Sequence, residues 1–168
     1  SVAMAVVSRW LDRDAFHAGA FIHRGGAWGV LGAREAGKSS LLGHLASAGI
    51  PVLADDMVVV DSGHVLPGPG FLDLRAGAAD ALRLGIDIGV VGSRKRWRVP
   101  LEDAPPAPIH GWILPQWGDG PEVVPVRPGL RVPLLFDNLS LITAPPNPSR
   151  IIDLASLPFV VWRRPKDW

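Results

Sequence analysis

Apolar and polar positions change rhythm along this chain, and the changes mark its elements. The apolar runs Ala27-Trp28-Gly29-Val30-Leu31 and Pro51-Val52-Leu53-Ala54 flank a helical pattern from about Lys38 to Ala48, which predicts a strand, a loop, a helix and a second strand. That order opens an α/β sheet. Gly49 follows the last helical residue, where a left-handed cap favours glycine, and Pro51 stands where a helix cannot continue. Met57–Asp61 and Val65–Pro67, separated by Ser62-Gly63-His64, predict a hairpin, and residues 78–84 a short helix. From Trp97 to Ile142 short apolar runs alternate with prolines, which predicts edge strands and fixed loops rather than long helices. Residues 104–108 read as a surface loop.

Glycine and proline divide the chain: 15 of 19 glycines lie at or before Gly92, and 14 of 17 prolines at or after Pro100. The first half is thus built for tight backbone turns, the second for rigid connections. At 168 residues a single domain is expected, and a 48% hydrophobic content offsets chain entropy well enough to exclude global disorder. The chain opens on Ser1 rather than Met, as a trimmed chain or a fragment of a longer one would. No apolar stretch reaches the roughly 20 residues of a membrane helix, and no basic-then-apolar leader opens the chain, so no membrane partner is expected. With a formal charge of +1 there is no global basic field for nucleic acid. There is no cysteine, hence no disulfide or thiolate site, and a cytoplasmic location is permitted. His23, His44, His64 and His110 share no zinc spacing.

Chemistry concentrates where the glycines do. Gly32-Ala33-Arg34-Glu35-Ala36-Gly37-Lys38-Ser39 fits the pattern of glycine, four residues, glycine, lysine and Ser/Thr, directly after a strand and before a helix. Such a loop turns backbone N–H groups and a helix N-terminus toward phosphate oxygens. Lys38 would reach the outer phosphates and the Ser39 hydroxyl would ligate Mg²⁺. A phosphate loop also needs a carboxylate at the end of a neighbouring strand, and Asp55-Asp56 supply two; since strand side chains alternate, one is expected to face the phosphate and the other to take a different role. Arg94, Lys95, Arg96 and Arg98 form the densest basic run, suited to nucleotide phosphate or an acidic peptide, or simply to a solvated strand face. Asp73 and Arg75 are further candidates, or a surface pair. Arg163, Arg164 and Lys166 read as a solvated tail, or as a flexible basic segment that contacts a partner subunit. The seven tryptophans, from Trp10 to Trp168, are expected in the core or at interfaces.

The order His17-Ala18-Gly19-Ala20, Gly25-Gly26, Gly32–Ser39 and Gly49-Ile50-Pro51-Val52-Leu53-Ala54-Asp55-Asp56 resembles the C-terminal catalytic domain of the HPr kinase/phosphorylase family, which phosphorylates a serine of a phosphocarrier protein. It also resembles shorter HPr-kinase-like proteins of peptide-modifying gene clusters, including kinases of lasso-peptide precursors, which Leu66–Arg75 and Lys95–Pro100 match more loosely. The match is specific over about residues 14–61. The resemblance implies an α/β domain with a mixed sheet packed on the phosphate-loop helix, and transfer of the γ-phosphoryl group of ATP, with Mg²⁺, to a serine hydroxyl of a peptide or small protein. It implies Asp55 as general base, with His17 and Lys38 also catalytic. ATP would be held by Gly32 through Ser39 and by Ser40, and the metal by Ser39 and Asp56. Homo-oligomers, known in the family, are left open. Arg34-Glu35-Ala36 departs from the family's usual Ser-Gly loop centre, and no acidic-glycine signature of the bifunctional enzymes is recognisable, which speaks against phosphorylase activity. Two other readings of the loop are a regulatory module that binds nucleotide without transfer and a small-molecule kinase. The Asn-Lys-x-Asp signature of GTPases is absent.

Overall fold

The computed structural model describes residues 2–140 and 146–165. Ile142, Lys166 and Trp168, each part of an expectation above, lie outside them. The described elements begin with α1 (Val2–Trp10), β1 (Asp14–Phe16), β2 (Gly19–His23), β3 (Gly26–Val30), α2 (Lys38–Ser47) and β4 (Val52–Ala54). The hairpin β5 (Val58–Asp61) and β6 (His64–Leu66) follows, then β7 (Phe71–Leu74), α3 (Ala76–Leu82), β8 (Ile86–Val91) and β9 (Arg94–Pro100). The remainder is β10 (Ala107–Trp117), β11 (Glu122–Pro125), α4 (Pro128–Asp137), α5 (Pro148–Ser156) and β12 (Phe159–Arg164). No described helix is long and apolar enough to cross a membrane.

A nine-stranded mixed sheet runs β1-β5-β6-β10-β3-β2-β4, with β12 against β10 and β11 outside β12. β10 is parallel to β3 and β12, whereas β2 is antiparallel to both β3 and β4. The strand before the loop and the strand after α2 therefore run the same way, one strand apart, and their carboxyl ends open on one side of the sheet. Alternation along the strands sends residues to two cores. One holds Phe16, Leu31, Trp112, Leu135, Leu154 and Phe159 beneath α4 and α5. The other holds Val30, Leu41, Leu42, Val52, Leu72, Leu74 and Val99, so α2 lies between the large sheet and a small antiparallel sheet ordered β7-β9-β8.

The first half follows its sequence pattern closely. α2 and β4 stand where expected, Gly49 has φ +75°, and the tight β5–β6 turn places Ser62 and Gly63 at φ 48° and 76°. The short helix starts two residues early, at Ala76.

The second half corrects the expectation of edge strands and loops. β10 is a central strand of 11 residues despite Pro108 and Pro115. β10 pairs with β3 only from Ile109 to Ile113. Ile109 donates to Gly63 and the Ile113 carbonyl accepts from Leu31, so in this alternation both prolines aim their missing N–H toward the β3 side, one before and one after the paired stretch. Neither removes a ladder bond. α4 is a helix of ten residues: Pro128 occupies its first position, where an N–H has no partner anyway, while Pro133, inside the helix, gives up one intrahelical bond on the exposed face.

Candidate functional site

The loop between β3 and α2 begins at Gly32, φ +136°, and closes at Gly37, φ +79°, next to the first residue of the helix. Glu35 adopts φ +70°, which a residue with a Cβ takes at a cost, so something outside the loop must hold it. Four donors do so. Asn138, at the end of α4, accepts the Gly32 N–H on Oδ1 at 3.3 Å. Trp117 Nε1 on β10 donates to the Glu35 carbonyl at 3.3 Å. Arg164 Nη2 on β12 donates to the Ala36 and Gly37 carbonyls at 3.1 and 3.0 Å. The Glu35 carboxylate is gripped by Arg75 at 2.8 Å and Arg94 at 3.3 Å, and these guanidinium groups hold it below the usual carboxylate range.

Inside the loop, Lys38 is buried and its Nζ donates to the Gly32 and Ala33 carbonyls at 2.6 and 3.2 Å. Burial lowers its pKa, while Asp56 and Asp55 act in the opposite sense. Ser39 Oγ donates to Asp55 Oδ1 at 3.0 Å, which brings the end of β4 against the start of α2. Burial pushes the Asp55 carboxyl up to about 6, against the pull of the Ser39 hydroxyl and with a further push from the Asp56 charge; the backbone N–H groups of Asp56 and Asp73 oppose it. Asp56 turns outward at φ 68°. Its exposed carboxylate lies 3.4 Å from His17 Nδ1, which also approaches the Asp56 carbonyl at 3.1 Å. His17 in turn donates its backbone N–H to the Asn138 carbonyl.

The structure thus brings Lys38, Ser39, Asp55, Asp56 and His17 to one end of the sheet and separates the two aspartates by environment. His17 sits beside Asp56. The half-buried Ser40 follows on α2, and Ala33, Arg34 and Glu35 are exposed along the loop. Asp73 pairs both carboxylate oxygens with Arg98 at 2.9 and 3.0 Å, and Arg75 belongs to Glu35, so neither points its charge at Ser39. The basic run is largely neutralised in place: Arg94 by Glu35, Lys95 by Asp87 at 2.7 Å, Arg98 by Asp73.

The reading of a solvated C-terminal tail is overturned for Arg164. Arg164 is 1% exposed, in strand β12, with its guanidinium 4.6 Å from the Trp117 ring and 4.9 Å from that of Trp162. Arg163 is exposed and pairs with Glu122, and Lys166 lies outside the described residues. Asn138, Trp117 and Arg164 carried no sequence signal of their own, because each acts on the loop from 80 or more residues away through a backbone group.

The oxygen pair Ser39–Asp55 suits Mg²⁺, a hard ion that takes few protein oxygens and keeps water or substrate phosphate as its other ligands. Among the described residues no group of three or more His, Cys, Asp or Glu could hold a metal by itself.

No family model matches the chain, and no curated protein matches it. Among solved structures it is similar to the HPr(Ser) kinase/phosphatase from Coxiella burnetii, at 13% identity over 90% of this chain and 85% of that one, with a TM-score of 0.37. So distant a likeness carries no residue's role across. What the fold itself defines is an α/β domain whose mixed sheet packs on the helix that follows a glycine-turned loop.

Proposed function

We propose that this protein is an ATP-dependent phosphotransferase that moves the γ-phosphoryl group to a hydroxyl, specifically a serine of a peptide or small protein. The observation that carries the reading is the Ser39–Asp55 contact, which puts a hydroxyl and a carboxylate together at the start of the helix whose first residue is Lys38. Lys38 would exchange the Gly32 and Ala33 carbonyls for the outer phosphate oxygens. Bound at Ser39 and Asp55, Mg²⁺ would supply neutralisation of phosphate charge.

The two aspartates suit opposite tasks to those the family resemblance implies. Asp55, joined to Ser39, takes the metal side. Asp56, exposed and next to His17, would meet an acceptor that arrives from solvent. The acceptor oxygen attacks the γ-phosphorus as the bond to the β–γ bridging oxygen breaks. ADP leaves, and the hydroxyl proton passes to the Asp56 carboxylate. Phosphoryl transfer asks mainly for positioning and charge neutralisation, so no covalent intermediate on the protein is required. The serine-peptide acceptor rests on the resemblance of residues 14–61 to HPr-kinase-like proteins, including the short branch that modifies peptide precursors.

The test is transfer from γ-labelled ATP to serine peptides, a phosphocarrier protein and small hydroxyl compounds, with Mg²⁺ titrated. Label on a peptide is expected, lost in Lys38→Ala. Asp55→Asn should raise the Mg²⁺ requirement, and Asp56→Asn should lower the rate at unchanged Mg²⁺ dependence. ATP binding with no transfer to any acceptor would replace this reading with a nucleotide-binding regulatory module.

A further inference from the structure

Three successive loop carbonyls, Glu35, Ala36 and Gly37, are each taken by a donor from outside the loop, and two aromatic rings fix the donors. In a trans peptide the carbonyl and the N–H point in opposite directions. A donor that grips the Ala36 and Gly37 carbonyls therefore turns the N–H groups of Gly37 and Lys38 the other way, out of the helix start, where an anion binds. The Gly37 carbonyl also accepts the Leu41 N–H, so Arg164 fastens the loop to the first turn of α2 as well. The fit is close: a Cβ on Gly37 would overlap Arg164 Nη2 and meet the Trp117 ring at 3.1 Å. We infer that Arg164, seated against Trp117 and Trp162, is the positioning residue of the phosphate loop, setting the direction of its closing N–H groups so that it takes a polyphosphate.

The chemistry of the residue suits that task. A guanidinium presents several donors in one plane and stacks on aromatic faces, so it reaches two neighbouring carbonyls while resting on indole rings. Burial pulls its pKa down to about 10, which still leaves it charged at neutral pH. Its positive charge lies behind the loop, on the carbonyl side, and adds to the field of the helix N-terminus without touching the ligand. This inference rests on the reading of the loop as a phosphate site. It is independent of whether any phosphoryl group is transferred.

The experiment is calorimetric titration of the whole chain with Mg²⁺-ATP and, separately, with Mg²⁺-tripolyphosphate, which offers the phosphates without the nucleoside. Arg164→Met keeps length and apolar stem and removes the donors. It is expected to weaken both ligands in the same proportion, by about tenfold or more, about 1.4 kcal/mol. Arg164→Gln, which keeps one donor, is expected to fall between, and serves as the folded reference if the Met variant does not fold. Thermal unfolding in the absence of ligand accompanies each titration. A folded Met variant with wild-type affinity for both ligands, or a Gln variant with wild-type affinity where Met does not fold, overturns the inference, and so does weakening of ATP alone with tripolyphosphate unchanged. Wild-type protein that takes tripolyphosphate but not ATP would refute the proposed kinase while leaving the loop's positioning residue intact; binding of neither would refute both.

Discussion

Asp55 is held in its charged form at a cost, and replacing it by Asn should stabilise the protein. Its carboxyl is half-buried and titrates at about 6, against 3.8 for the free side chain. Between those values the folded state binds more protons than the unfolded one, so stability falls as pH rises from about 4 to about 6 and is level above that. At about 1.4 kcal/mol for each tenfold in proton affinity, the ionised carboxylate costs the fold about 3 kcal/mol at neutral pH relative to its protonated form. Asn is a neutral isostere and can still accept from Ser39 Oγ, at a loss of about 1 kcal/mol for a weaker bond. The net expectation is a gain of about 2 kcal/mol at pH 8 that disappears at pH 4, where wild-type Asp55 is itself neutral. Urea unfolding of both proteins at the two pH values, with EDTA present, reads it. The same variant should need more Mg²⁺ for phosphoryl transfer, as a residue retained for function against stability would. An Asn variant less stable than wild type at pH 8, or a difference independent of pH, would refute the assignment of Asp55 as a desolvated carboxylate.

Glu35→Gln removes the carboxylate that Arg75 and Arg94 hold, so the loop loses an anchor and Mg²⁺-ATP should bind about two- to fivefold more weakly; unchanged or tighter binding in calorimetry would mean that these ion pairs do not serve the loop's shape. Gly37→Ala places a Cβ on a φ of +79° and against Arg164, and should abolish ATP binding and lower stability by about 1 kcal/mol or more, read by titration and thermal unfolding. Trp112→Ala empties a fully buried site packed on Phe16 and Phe159 and leaves the Leu154 carbonyl without its indole donor; about 3–5 kcal/mol should be lost in urea unfolding.

What could be read in the sequence was what local rules decide. The loop, α2, β4 and the β5–β6 hairpin are each specified within a dozen residues by glycine placement, caps and apolar runs, and they stand where those signals put them. The pair Asp55-Asp56 was legible as a strand-end feature, but the division between its members was not, because it depends on which of the two meets Ser39 and which meets His17. The sequence around β10 misleads for a physical reason: a proline breaks a strand only where its missing N–H faces a partner, and the sequence alone does not show on which side of the strand that N–H falls. Arg164 was misread because proximity to the chain's end, usually a sign of solvation, says nothing about a last strand that pairs with the central one.

These misreadings share a consequence for how the site is built. The residues with recognisable chemistry all lie between His17 and Asp56, yet the groups that hold the loop are Arg75 before α3 and Arg94 on β9, through the Glu35 side chain, and Trp117, Asn138 and Arg164 further along, through its backbone. A glycine-rich loop with a non-glycine residue at φ +70° does not hold a single shape through its own sequence. Its shape is imposed by donors on β10 and β12 and by an acceptor at the end of α4, whose positions depend on Trp112 packing against both Phe16 and Phe159 in the core below. Substitutions in that core should therefore weaken polyphosphate binding as well as stability, whereas equally destabilising changes at the exposed Ser62-Gly63 turn, whose residues stand outside that core, should lower stability alone.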